Sequence, residues 1–483
     1  MVQAHPTTLM NKYLLSILVL INITIVTVCY ANESDDGYFK LLSEIESIQK
    51  NHNIAGVSVI LVNEHGITHE NYFGLADRTS NTKVTEDTIL RVGSITKTVT
   101  ALAVLKLIEQ NKLELSSLIS DYLDPLPYVN RYSDRVKITV AQLLEHTAGF
   151  QDLSSHEFDF KQSGWALEQS FNYDKNSRIT KWLPGEYYSY TNSGAGIVSK
   201  VIEVITGRKF EDYVQTEIFD PLNLNSATFF QNELTDQYLA TGYDRDGVSV
   251  IPYWHMLYRA YGALNIRADE MASVVSMLIN HGKSVNDRTI LTRSSINTFE
   301  HPATSLAARH GLTYGYAPGN YQWISNNVLF HGHGGDADGY LSRYGYTREN
   351  NRGYFIAINS YNNKAIKAMT KHIEMWLTRG IKAKALPPVH KLTLRQINQI
   401  SGDYISVTNR FAWDNKETSV ANIFINENKL YIRYNSSPAY ELVPVNRTHF
   451  RRKNQSLPTI SIVENSRGDL ILQGDIGNFK RRD

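Results

Sequence analysis

The hydrophobic pattern of the chain is densest just after residue 100. Between Ala101 and Ile108 only Lys106 is polar, and a helix that is apolar nearly all round is a buried one. Two short apolar runs, Gly56-Val57-Ser58-Val59-Ile60-Leu61-Val62-Asn63 and Gly353-Tyr354-Phe355-Ile356-Ala357-Ile358-Asn359, predict strands. Gly66 to Phe73 predicts a hairpin partner for the first, and Tyr321 to Ile324 and Tyr340 to Tyr346 predict two further strands. Helical spacing appears at Tyr38 to Asn51 and at Lys364 to Thr378. From about Thr85 to His301 the pattern is mostly helical, punctuated by Pro125, Pro127, Pro184-Gly185 and Pro221. Strands at both ends with helices between predict an α+β body of two lobes. It would be one antiparallel sheet flanked by helices, with a helical lobe inserted.

A different pattern follows. Residues 382–390 contain Lys382-Ala383-Lys384-Ala385-Leu386-Pro387-Pro388 and read as a linker. Residues 391–483 alternate in short runs, at Ile423 to Arg433, Tyr440 to Val443 and Ile460 to Val463, which predicts a small all-β barrel or sandwich. At the other end, Lys12 precedes an apolar run from Leu14 to Val28, and Cys29-Tyr30-Ala31 places small residues before a cut at Asn32. Residues 1–31 are therefore expected to be an export signal, with an uncleaved membrane anchor as the alternative. Cys29 also raises lipid attachment, but Thr27-Val28 before it are poor for that. Residues 32–381 form the expected main domain, in a periplasmic or extracellular protein.

Composition narrows the function classes. The net charge is +1 over 483 residues, so there is no broad basic field for nucleic acid. Hydrophobic content of 42% suffices for a real core, and a single cysteine allows no internal disulfide. A small-molecule or peptide-like substrate is the expected partner.

Candidate chemistry sits in three segments. Ser94 and Lys97, three apart at the mouth of the buried helix, share a face. A buried lysine with a lowered pKa can take the proton from a serine nucleophile. Alone, Ser-x-x-Lys is a weak signal; the buried helix behind it strengthens it. The second segment is Tyr188-Ser189-Tyr190-Thr191-Asn192-Ser193-Gly194, where Tyr190 can shuttle a proton and Asn192 can hold a substrate carbonyl. The third is Phe330-His331-Gly332-His333-Gly334-Gly335-Asp336-Ala337-Asp338, whose glycines let a backbone approach a ligand closely. Its histidines and aspartates lack the spacing of a metal site, and no metal or cofactor is expected. Loops 151–173 and 243–261 are expected to shape the pocket.

Together these segments resemble the serine beta-lactamase and penicillin-binding protein superfamily, in its class C beta-lactamase-like branch. Leu143-Leu144-Glu145-His146-Thr147-Ala148-Gly149, Ile218-Phe219-Asp220-Pro221-Leu222 and Tyr314-Gly315-Tyr316 add to the resemblance. It implies Ser94 as nucleophile, Lys97 as its proton partner, Tyr190 as general base and acid, and Asn192, His333, Gly334 and Gly335 as substrate-binding residues. It also implies an oxyanion hole made by the backbone amides of Ser94 and Asp336. His146 reads as structural. Where the branch's beta-lactamases carry a third-motif lysine, this chain has His333, which offers no fixed charge near neutral pH. That shifts expectation from carboxylate-bearing beta-lactams toward esters or neutral amides. The expected activity is that of an exported serine hydrolase working through an acyl-enzyme. A D-alanyl-D-alanine carboxypeptidase, D-aminopeptidase or weak beta-lactamase is the alternative, as is a non-catalytic cell-envelope binding protein of the same fold.

Overall fold

Eight strands make the sheet on which the site is built. In chain order they are β1 (Gly56–Asn63), β2 (Gly66–Asp77), β3 (Thr82–Lys83), β4 (Tyr316–Ala317), β5 (Asn320–Ser325), β6 (Val328–Ala337), β7 (Tyr340–Thr347) and β8 (Arg352–Ile358). Their spatial order is β3-β2-β1-β8-β7-β6-β5-β4, antiparallel throughout. The sheet is thus closed at its centre by pairing its first strand with its last, Val59 opposite Ile356. This computed structural model describes residues 36–482 apart from 159, 414–418 and 475–476; the expected export signal lies outside the described residues.

Both faces of the sheet are covered, which explains why β1 and β8 are continuous apolar runs and not alternating ones. Val57, Val59 and Leu61 point into one core with the helix over residues 36–51 and the Asn363–Leu377 helix. Ile60 and Val62 point into the other, against the Ala268–Ile279 helix and the helical lobe. Full burial of each such side chain is worth about 1.5–3 kcal/mol. The Thr96–Glu109 helix runs through the second core with Lys97 and every residue from Thr96 to Leu105 buried.

The strand β6 is the main departure from the hydrophobic pattern. It carries Gly332, Gly334 and Gly335 with His331 and His333, so no period-2 alternation marks it. Its partners β5 and β7 impose the strand through backbone pairing, His333 opposite Tyr344 and Gly335 opposite Ser342.

The C-terminal strands close into an antiparallel barrel of eight: β9 (Gly402–Ser406), β10 (Val420–Asn426), β11 (Lys429–Tyr434), β12 (Tyr440–Pro444), β13 (His449–Arg452), β14 (Ile460–Glu464), β15 (Leu470–Gly474) and β16 (Gly477–Arg481). Closure is by β9 on β16, Tyr404 opposite Arg481. Alternate residues, among them Tyr404, Ile423, Ile432, Phe450 and Leu472, fill the interior. The outward residues Val463 and Ile471 instead pack on Tyr187 and Leu306, so the barrel docks against the main body beside the 186–192 segment.

Candidate active site

Ser94 stands in a tight turn, Gly93–Ile95, between the short strand Ile89–Arg91 and the Thr96–Glu109 helix. The turn needs a glycine at 93, where φ is +52° and a Cβ would lie 2.5 Å from the carbonyl oxygen of Asp336. From the sheet side, a Cβ on Gly335 would lie 1.7 Å from the carbonyl of Val92. These two absent side chains let β6 lie directly on the serine turn, bringing the backbone of Asp336 against that of Gly93.

One turn into the helix, Lys97 is 3% exposed. Its Nζ lies 2.6 Å from Asn192 Oδ1, 2.9 Å from the carbonyl of Tyr261 and 3.3 Å from Ser94 Oγ. Burial holds its pKa well below the ordinary lysine range, with Asp152 opposing and Arg410 reinforcing the shift. A neutral amine has two N–H donors and one lone pair. The two carbonyl oxygens take the donors, which leaves the lone pair for the Ser94 hydroxyl.

Asn192 stands at the N-terminus of the Ser193–Thr206 helix and is held from behind. Asp152 Oδ1 accepts from its backbone N–H at 2.7 Å and Oδ2 from its Nδ2 at 3.3 Å, which aims Oδ1 at Lys97. The Asp152 loop is anchored in turn by a fully buried pair, Arg178 and Glu157, 3.6 Å apart.

Tyr190 lies over the lysine, with Nζ 5.0 Å from its ring centroid, and it hydrogen-bonds Ser94. Burial raises its phenol well above the usual tyrosine range, against the lowering effects of Arg410 and Ser94. Burial thus favours the protonated phenol at Tyr190 and the neutral amine at Lys97.

His333 is 2% exposed, and both its ring nitrogens are engaged. Nδ1 donates to its neighbour's carbonyl, Gly334 O, at 2.6 Å, so Nε2 accepts from Tyr316 O–H at 2.7 Å. Burial, helped by the nearby Lys97, lowers its pKa to about 3. Each ring nitrogen is thus engaged within the protein, and burial favours the neutral ring. His146 packs 4.3 Å from the Tyr190 ring and 4.5 Å from Tyr316, and its Nδ1 accepts from Thr191 N–H.

Ser94, Tyr190, Asn192, His333, Gly334, Gly335 and Asp336 all line one cleft of about 600 Å³. Phe158, Met256 and Tyr261 come from the two loops expected to shape it. Five residues had no motif of their own in the sequence: Asp152, Tyr261 through its carbonyl, Arg343 on β7, and Arg410 and Phe411 from the barrel. Arg343 Nη1 lies 3.3 Å from Tyr321 Oη, packed over Gly334.

The Beta-lactamase family profile matches residues 42–373, which is most of the chain. PbpX of Bacillus subtilis (strain 168) is 27% identical over 279 residues, covering 58% of this chain and 66% of that protein. Among solved structures, the octameric penicillin-binding protein homologue from Pyrococcus abyssi superposes with a TM-score of 0.60 at 20% identity. It covers 92% of this chain and all of that one. The D-amino acid amidase from Ochrobactrum anthropi SV3 gives 0.57 at 19% identity, over 70% of this chain and 99% of that one. On the family match, the chain belongs to the beta-lactamase family, the serine hydrolases related to penicillin-binding proteins.

Proposed function

We propose that this protein is an exported hydrolase that acylates Ser94 with ester or neutral amide substrates and then releases the acid to water. The observation that carries the reading is the coordination of Lys97 Nζ: two carbonyl acceptors, and a serine hydroxyl in the remaining direction. In the first half-reaction the Ser94 proton passes to Lys97 as Oγ bonds to the substrate carbonyl carbon. The charge that develops on the carbonyl oxygen is met by the backbone amides of Ser94 and Asp336. Tyr190 gives its proton to the departing oxygen or nitrogen, the carbonyl–leaving-group bond breaks, and the proton that Lys97 took from Ser94 restores the Tyr190 phenol. Water then replaces the leaving group, and the same pair run in reverse restores the serine. His333 acts by shape and by holding Tyr316, without moving a proton.

A second reading, a peptidase or amidase for D-amino acid substrates, is favoured by Arg343 in the cleft, whose guanidinium supplies positive charge that the third motif lacks. The structural neighbour that is a D-amino acid amidase points the same way.

A panel of p-nitrophenyl esters, D-amino acid amides, D-Ala-D-Ala peptides and beta-lactams, with Ser94→Ala as blank, separates the two. The first reading expects esters and neutral amides to be turned over with higher kcat/KM than any substrate bearing a free carboxylate. Preference for the D-Ala-D-Ala peptides overturns it in favour of the second. Turnover undiminished in Ser94→Ala overturns both.

A further inference from the structure

The C-terminal barrel reaches the cleft at a point where charge matters. Arg410, in the segment between β9 and β10, places Nε and one terminal nitrogen each 2.8 Å from Asp152 Oδ2. Asp152 returns a backbone N–H to the Arg410 carbonyl at 2.8 Å. The guanidinium lies over the Tyr190 ring at 4.5 Å and lines the same cleft as Ser94. Nearby, two buried barrel side chains hold the backbone that leads to Tyr190. Asn478 Nδ2 donates to Tyr188 O at 2.6 Å, and Gln473 Nε2 donates to Glu186 O at 3.0 Å. The barrel thus touches the site both through its charge and through its grip on the tyrosine segment.

We propose that Arg410 is a positioning residue for the acylation step. It neutralises the buried Asp152 carboxylate behind Asn192, so that Lys97 stands in the cleft as a free amine. The inference rests on the Ser94–Lys97 reading given above.

Among the described residues, six titratable or charged side chains bear on Lys97. Tyr190 and Tyr261 lie with their rings 5.0 and 5.3 Å from Nζ, and burial keeps both phenols protonated. His146 and His333 are held neutral by burial. Asp152 and Arg410 are the remaining two, and they act in opposite directions on the lysine. The Asp152 side chain is completely buried. Bereft of its arginine it would be an unpaired charge across the Asn192 amide from an amine that can compensate it by taking a proton. Its bonds to Asn192 would survive, but the amine those bonds position would become an ammonium ion with no lone pair for Ser94.

The test is the pH profile of kcat/KM for p-nitrophenyl acetate in the full-length protein. Its acid limb reports deprotonation of the lysine in free enzyme. Arg410→Gln is expected to move that limb up by about one pH unit or more, which is about a tenfold loss of rate on the limb. Arg410→Lys keeps the charge and is expected to leave the limb in place. Adding Asp152→Asn to Arg410→Gln is expected to bring the limb back down, whatever the loss in plateau rate from a less firmly held Asn192. Should Arg410→Gln not fold, Asp152→Asn alone still decides: the limb must move below the wild-type position.

A role confined to docking the barrel lowers the plateau and leaves every limb where it was; that result overturns the inference. Ser94→Ala is run alongside. If it retains activity the hydrolase reading itself fails. If it is inactive while the limbs stay fixed, only the role of Arg410 falls.

Discussion

Lys97→Met is expected to lower kcat/KM for an activated ester by about 10³-fold, the middle of the range for loss of a general base. Methionine matches the length of the lysine stem and is comfortable in a buried site, so the helix should keep its packing. What disappears is the amine that stands 3.3 Å from Ser94 Oγ. The plateau rate falls, and so does the acid limb of the pH profile. In the wild type, activity rises as pH climbs through the lysine's lowered pKa, because below it the side chain is an ammonium with three donors and no lone pair. Lys97→Arg should not rescue the loss, because a guanidinium stays protonated throughout the accessible pH range. The change also leaves Asn192 Oδ1 and Tyr261 O without their donor, at about 1–3 kcal/mol for each buried acceptor. Stopped-flow kinetics from pH 5 to about pH 10, with thermal unfolding in parallel, separate the two effects. A Lys97→Met protein with unaltered kcat/KM would remove the lysine from the chemistry.

Gly335→Ala is expected to be nearly as damaging, for a steric reason. The added methyl would sit 1.7 Å from Val92 O and 2.5 Å from Ser342 Oγ, and neither β6 nor the serine turn can yield without parting from the other. Overpacking of this kind typically costs about 1–3 kcal/mol of stability. The larger effect is on rate. Separating β6 from the turn moves the amide of Asp336 away from that of Ser94, and losing one oxyanion donor costs about 10²–10³-fold in kcat. KM should change much less, since the walls of the cleft remain. Steady-state kinetics checks it; a kcat within twofold of wild type would mean that the two amides do not work together.

How much of this could be read from the chain depended on the kind of signal each part leaves. The Thr96–Glu109 helix and the central strands β1 and β8 are buried on all sides, so their composition alone marks them. The barrel strands are covered within and largely wet outside, and their alternation is visible. By contrast, β6 owes its strand form to its neighbours, and its glycines serve contact with the serine turn, so it leaves no periodic trace. The site divides in the same way. Ser94, Lys97, Tyr190 and Asn192 lie in local motifs. Asp152 and Arg410 are 258 residues apart and meet only because the barrel docks beside the 186–192 segment. Tyr261 contributes a carbonyl, which no side-chain pattern can announce. The opposite shifts of Lys97 and Tyr190 are also beyond the sequence. Burial lowers an amine and raises a phenol, and the extent of burial is a property of the packed fold.

The central claim is that Ser94 is the nucleophile, and active-site labelling tests it most directly. The full-length protein is treated with a fluorophosphonate, residual ester hydrolysis is followed, and the modified residue is located by peptide mass spectrometry. One phosphonylated residue is expected, Ser94, with activity falling in proportion to its occupancy and no labelling of Ser94→Ala. Full activity with Ser94 fully modified, or inactivation through a label elsewhere, would contradict it.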